Sequence, residues 1–321
     1  MTRSLRAGLL AAVASAALSF NVAAQYPNKP IRIVVPFGAG SATDLISRVI
    51  GNSVSAAVGQ PVVVENKAGA DGAIAASEVA RAAPDGYTLL MATNSPLSVV
   101  PAMKKSPPYD PVADFTPITD IGRYTFFVVV NPNVPAKTLP ELVQYARANP
   151  GKINYATGNT TGIVSSALLA SLAKIEMVHV PYKTEPQVMP DLVSGRVQMM
   201  FASSTTSMPL IREGKLRPLV TTLPRRSHLL PDLPTIAEAG YPTFSIISWA
   251  GLFGPAKMPA DVVARLNREF VAAMGRPDVQ DAMQKQAFVL TPSTPEKLAA
   301  WVREQLESYR STLKAVGIQP E

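Results

Sequence analysis

The residues of this chain that could do chemistry are mostly neutral hydrogen-bond donors, and they sit in loops. Pro36-Phe37-Gly38-Ala39-Gly40-Ser41 follows an apolar run and precedes a helical pattern from Ala42. Asn66-Lys67-Ala68-Gly69-Ala70-Asp71-Gly72, Thr93-Asn94-Ser95, Thr157-Gly158-Asn159-Thr160-Thr161-Gly162 and Ser203-Ser204-Thr205-Thr206-Ser207 repeat the arrangement. A helix start presents unpaired backbone N–H groups and a partial positive charge. Glycine lets a ligand approach the backbone, and Ser or Thr adds a hydroxyl. Such loops bind a carboxylate or a phosphate without needing an arginine. Any helix start also favours these residues, and Ser41 with Asp44 fits a capping box. A single loop therefore reads first as capping. Five in succession, neutral in their donors apart from Lys67, read as a ligand surface.

Other chemistries find little support. Gly38-Ala39-Gly40 lacks the third glycine of a dinucleotide fingerprint, and no phosphate loop of the Gly-x-x-x-x-Gly-Lys-Ser/Thr kind exists. Gly158-Asn159-Thr160-Thr161-Gly162 mimics a nucleophile elbow with Thr160 in the serine position. That alternative, an exported α/β hydrolase, requires a positioned base, and the chain has two histidines. His179 lies inside an apolar strand and reads as a packed core residue. His228 lies in a polar loop and reads as solvent-facing. Neither has metal-ligand spacing, and there is no cysteine, so no disulfide and no thiolate site forms. No metal, no cofactor and no catalytic set is expected.

These loops need elements to hold them. Apolar runs at residues 31–35, 62–64, 88–91, 126–130, 177–180, 197–201 and 219–221 read as strands. They are continuous or nearly so, as in parallel strands buried by helices on both faces. Between them Leu45, Ile46, Val49 and Ile50 recur at four-residue spacing, and Leu139, Leu142, Tyr145 and Ala146 at three- and four-residue spacing. Leu298, Trp301, Val302, Leu306, Tyr309 and Leu313 form one stripe over residues 296–316. Alternating strands and helices argue an α/β fold.

Residues 1–24 read as a secretory signal peptide: Arg3 and Arg6, an apolar run over residues 7–20, then Val22-Ala23-Ala24 at a cleavage point. The remainder suits two domains at about 150 residues each. The formal charge is +7, and without Arg3 and Arg6 there are 28 basic against 23 acidic residues. The basic residues are scattered and do not interleave with aromatics, which argues against nucleic acid. After cleavage no membrane-embedded segment is expected, and nothing marks an obligate interface, so a monomer is expected.

The chain resembles the Bug family, the solute receptors of tripartite tricarboxylate transporters. The resemblance covers essentially all of the sequence after residue 24. It is carried by Tyr26-Pro27-Asn28-Lys29-Pro30-Ile31-Arg32-Ile33-Val34-Val35-Pro36-Phe37, by Val63-Val64-Glu65-Asn66-Lys67-Ala68-Gly69-Ala70 with Gly72, and by Pro84-Asp85-Gly86-Tyr87-Thr88-Leu89. Val180-Pro181-Tyr182-Lys183 and Leu233-Pro234-Thr235-Ile236-Ala237-Glu238-Ala239-Gly240-Tyr241-Pro242 follow, then residues 249–255. The resemblance implies a two-lobed periplasmic binding protein fold of type II that closes on a small organic acid. On that fold lobe 1 is expected to hold residues 26–125 plus 248–321, and lobe 2 residues 126–247. The crossings would lie just after Ile121-Gly122-Arg123 and at residues 248–254. Implied partners are a small carboxylate and, at the membrane, transporter subunits or a sensor kinase.

By the same resemblance two loops pinch one ligand carboxylate: Phe37, Gly38, Ala39, Ser41 and Thr43 from one side, and Thr157, Asn159, Thr160 and Thr161 from the other. Thr93, Ser95, Tyr182, Glu185 and Thr205 are expected to face the rest of the ligand. The chain departs from the family where Val164 and Leu168 replace a His and a Glu, where paired glycines give way to Gly38-Ala39-Gly40-Ser41, and where Gln198 and Ala202 replace acidic or polar residues. Thr184-Glu185 stands where Gly and a small residue are usual. Glu185 either meets the ligand, disfavouring a second negative charge, or points to solvent.

Overall fold

The computed structural model describes residues 26–244 and 246–320; the signal peptide read at residues 1–24 lies outside them. Two sheets organise the chain. The first runs β11-β4-β10-β3-β1-β2, from β1 (Ile31–Val35), β2 (Val62–Asn66), β3 (Thr88–Thr93), β4 (Phe115–Arg123), β10 (Trp249–Pro255) and β11 (Val289–Leu290). The second runs β7-β6-β8-β5-β9, from β5 (Phe126–Val130), β6 (Asn154–Thr157), β7 (Val178–Pro181), β8 (Met199–Ser203) and β9 (Arg217–Thr221).

The expectation of parallel strands holds only in part. β1 pairs in parallel with β2 and β3, and β6 with β7 and β8. β10 is antiparallel to both of its neighbours, β3 and β4, and β5 is antiparallel to both β8 and β9. The cause is the crossing itself. A strand that follows directly from the other sheet, as β5 follows β4 and β10 returns from the second sheet, enters from the opposite end. Trp249–Pro255 is accordingly a fully buried strand of the first sheet and not merely a connection. The two crossings lie side by side: Tyr124 N donates to Ser248 O at 2.9 Å, and Trp249 pairs with Arg123.

The helices cover these sheets through the faces that the spacing marks. α1 (Ala42–Val58) buries Ile46, Ile50 and Val54, and ends where Gly59 takes a left-handed conformation with φ +68°. α2 (Ala73–Ala80) packs Ala75, Ala76 and Val79. A π-helical turn (Ser95–Val99) and α3 (Val100–Met103) follow β3. α4 (Leu139–Ala148), α5 (Thr160–Ala173), α6 (Glu185–Ser194) and α7 (Ser204–Arg212) accompany the second sheet. α8 (Ala260–Met274) and α9 (Pro277–Lys285) lead to α10 (Pro295–Ala315), which buries Leu298, Val302, Leu306, Tyr309 and Leu313. Burying such side chains contributes about 1.5–3 kcal/mol each, and they form most of the stripe read from the sequence.

Candidate functional site

Three helix starts and one strand end supply the candidate residues. At α1, Asp44 N donates to Ser41 Oγ at 3.3 Å, and Gly40 N donates to Asp44 Oδ2 at 2.9 Å. The box therefore forms, but the acid reaches one residue further back than the usual pattern. Asn66 and Arg48 donate to the other oxygen of Asp44. Ser41 thus acts as a cap. Thr43 lies deeper, its hydroxyl 2.8 Å from the phenol of Tyr124 at the crossing. Phe37 and Gly38 are half-buried and Ala39 is exposed. A Cβ on Gly38 would lie 3.1 Å from Thr184, so this loop touches the start of α6.

At α5, Gly162 N donates to Asn159 Oδ1 at 2.9 Å, which makes Asn159 the cap. Thr157 Oγ1 lies 2.7 Å from His179 Nε2. His179 stacks on Tyr155 and is only half-buried, because β7 is the outermost strand of its sheet; the expectation of a packed core histidine is corrected to this extent. Burial still pushes its pKa down, which favours the neutral ring. His228 is exposed and meets Gln284 O. Thr160, the residue in the elbow position, has no histidine beside its hydroxyl: Thr160 Oγ1 is buried with no hydrogen-bond partner.

The end of β3 meets the start of α5. Ser95 Oγ lies 2.9 Å from Thr161 Oγ1, and Thr161 N donates to Ser95 Oγ at 3.4 Å. Tyr309 of α10 stands beside Thr161, and its phenol receives Asn94 Nδ2 at 2.5 Å. Burial raises the pKa of Asp71, in the loop after β2, and Lys104 and the backbone N–H of Thr160 partly oppose that. Thr93 Oγ1 is, like Thr160 Oγ1, buried without a partner; the two residues are 4% and 3% exposed. A buried hydroxyl left unpaired costs about 1–3 kcal/mol, so each is suited to an acceptor such as a carboxylate oxygen.

α6 begins differently. Glu185 is 6% exposed, which excludes the solvent-facing orientation. Ser203 N and Ser203 Oγ donate to its Oε1 at 2.6 and 2.9 Å, and Thr206 Oγ1 donates to the same atom. Burial raises its pKa, and these donors only partly oppose that. A Cβ on Gly158 would lie 2.3 Å from Glu185 N, so glycine is required for the α5 loop to lie against α6.

Two expected residues sit elsewhere. Tyr182 donates its hydroxyl to Asp191 Oδ2 at 2.6 Å and packs with the apolar residues around α6. Thr205 lines a separate cavity of about 450 Å³ with His228 and Gln284. Helical rotation turns it away from its neighbour Thr206, which does reach Glu185. The sequence carried no sign of Tyr124, and it presented Tyr309 only as part of a core stripe.

A family model described as "Tripartite tricarboxylate transporter family receptor" matches residues 46–318. The chain is 37% identical to the "UPF0065 protein in tcbD-tcbE intergenic region" of Pseudomonas sp., covering 96% of this chain and 94% of that protein. It is 32% identical to protein BugT of Bordetella pertussis, covering 95% of each. Among solved structures it is similar to R. palustris Rpa4515 with adipate, at 31% identity and TM-score 0.89 over 92% of this chain and 100% of that one. It is also similar to MatC from Rhodopseudomonas palustris with bound malate, at 30% identity and TM-score 0.85 over 90% and 100%. With two lobes, each built on one sheet, and loops that meet between them, the chain belongs to the Bug family of tripartite tricarboxylate transporter receptors.

Proposed function

We propose that this receptor captures a small carboxylate between its lobes in the periplasm, after loss of residues 1–24, and delivers it to the membrane subunits of its transporter. It acts by binding and closure, not by catalysis. Lobe 1 is assigned residues 26–125 with 248–321, and lobe 2 residues 126–247. The observation that carries the reading is that two buried hydroxyls lack partners, Thr93 Oγ1 two residues before Ser95 and Thr160 Oγ1 next to Thr161, where Ser95 and Thr161 meet. A carboxylate accepts hydrogen bonds from such hydroxyls, each worth about 1.5–3 kcal/mol when charge-assisted. The ligand then favours the closed arrangement over the open one. Adipate and malate in the related structures support a carboxylate here.

Thermal unfolding of residues 25–321, stripped of co-purified ligand, tests this against mono-, di-, tri- and aromatic carboxylates. A ligand at 100 times its Kd stabilises by about 2.7 kcal/mol, a rise in Tm of roughly 5–10 °C. At least one such rise is expected. No rise with any carboxylate would overturn the reading.

A further inference from the structure

We propose that Glu185 is the specificity-determining residue of the ligand site, and that it selects a carboxylate which also carries a cationic amine over one with a second carboxylate. This rests on the receptor reading above and narrows its ligand class.

Three observations carry it. The first is position. Glu185 N lies against Gly158, two residues before the unpartnered Thr160 hydroxyl, and its neighbour Thr184 lies against Gly38 of the opposite loop. The start of α6 therefore sits where the two lobes meet, and from it the Glu185 side chain runs to Ser203 and Thr206 at the start of α7. The second is direction. All three hydrogen bonds it receives, from Ser203 N, Ser203 Oγ and Thr206 Oγ1, fall on Oε1, which leaves the acceptor positions of Oε2 for another donor. The third is charge. No lysine, arginine or histidine among the described residues offsets this carboxylate; the titratable group that its charge acts on is Tyr124, whose phenol it pushes further up. A buried carboxylate without a cation is costly. When the lobes close, a ligand ammonium would compensate that charge, whereas a second ligand carboxylate would repel it. Thr93 and Thr160 hold the acidic end of the ligand, and Glu185 meets the basic end.

Calorimetric titration of the stripped chain, residues 25–321, with 4-aminobutyrate, glutarate and butyrate, and with the shorter set β-alanine, succinate and propionate, tests the charge preference at matched length. The proposal expects an aminocarboxylate to bind at least tenfold more tightly than its dicarboxylate and monocarboxylate counterparts. Glu185→Gln keeps an acceptor for Ser203 and Thr206 and removes the charge. It should weaken the aminocarboxylate at least tenfold and leave the dicarboxylate unchanged or tighter. Glu185→Ala should do the same, and the ligand-free unfolding transition of each variant shows that it is folded. A dicarboxylate preferred by the native chain, or equal binding of all three end groups, would overturn the assignment while leaving the carboxylate receptor intact. Absence of binding by any carboxylate, in this set and in the wider thermal panel, would remove both.

Discussion

α5 and α6 begin beside each other, with a glycine between them, yet they present opposite chemistry. α5 opens with Asn159, Thr160 and Thr161, all neutral, and its cap is satisfied by its own side chain. One of its hydroxyls is left without a partner and another bridges to Ser95. α6 opens with Thr184, which makes no side-chain cap, and with a buried Glu185 that turns away to the start of α7. One start offers donors and a partial positive charge, and the other offers a negative charge. A ligand lying along both is read at each end by a different polarity, so the pair can distinguish acids that a single donor loop would treat alike.

The sharpest way to break this comparison is to force the two starts apart. Gly158→Ala places a Cβ 2.3 Å from the Glu185 backbone, and backbone cannot yield as a side-chain tip does. Overpacking costs about 1–3 kcal/mol, and this contact is expected near the top of that range. Tm should fall by about 10 °C, and the affinity for whichever carboxylate binds should fall with it. A stable variant with native affinity would mean that the starts need not touch.

Charge at α6 gives the next effect. Because burial raises the pKa of Glu185 in the folded chain, the folded state holds that proton more tightly than the unfolded one, where carboxyls titrate near about 4.3. Stability from this group is therefore present at low pH and is lost as pH rises through the folded value. Glu185→Gln should raise the ligand-free Tm by a few degrees at pH 8, with the gain vanishing at pH 4. A gain independent of pH would mean that the charge is not what is buried.

The donor side should respond more weakly. Ser95→Ala removes one hydrogen bond, about 0.5–1.5 kcal/mol, and so lowers ligand affinity by up to about tenfold. Tyr309 keeps its bond from Asn94, so the ligand-free Tm should move by only a few degrees. The smallest change is expected at Tyr182→Phe. Its hydroxyl serves Asp191, and ligand affinity measured by titration should stay within about twofold, on the order of 0.4 kcal/mol. A large loss would place Tyr182 in the site after all.

Much of this was legible in residue types. Ser41 caps its helix where its spacing to Asp44 places it, because a cap is a local hydrogen bond between residues two or three apart. The apolar runs became strands, and the stripe from Leu298 to Leu313 became a buried helix face, because periodicity alone decides which side a residue takes. Thr205 and Tyr182 point away from the Glu185 contacts for an equally local reason. Their loops do lie near the site, but one step of helical rotation exchanges Thr205 for Thr206, and strand and turn geometry point Tyr182 toward Asp191.

Sequence by itself determined the α/β class, the helix starts and the neutrality of their donors, since these depend on side-chain chemistry and on neighbours close along the chain. Only the tertiary structure decided strand direction in β5 and β10, the meeting of Ser95 with Thr161, the roles of Tyr124 and Tyr309, and the burial of Glu185. Each of these depends on groups brought together from distant parts of the chain: 66 residues separate Ser95 from Thr161, and 215 separate Asn94 from Tyr309. The charge on Glu185 has the same origin. A glutamate in sequence is an ordinary surface residue, and it becomes a selective one only when the fold removes its water and supplies no cation in return.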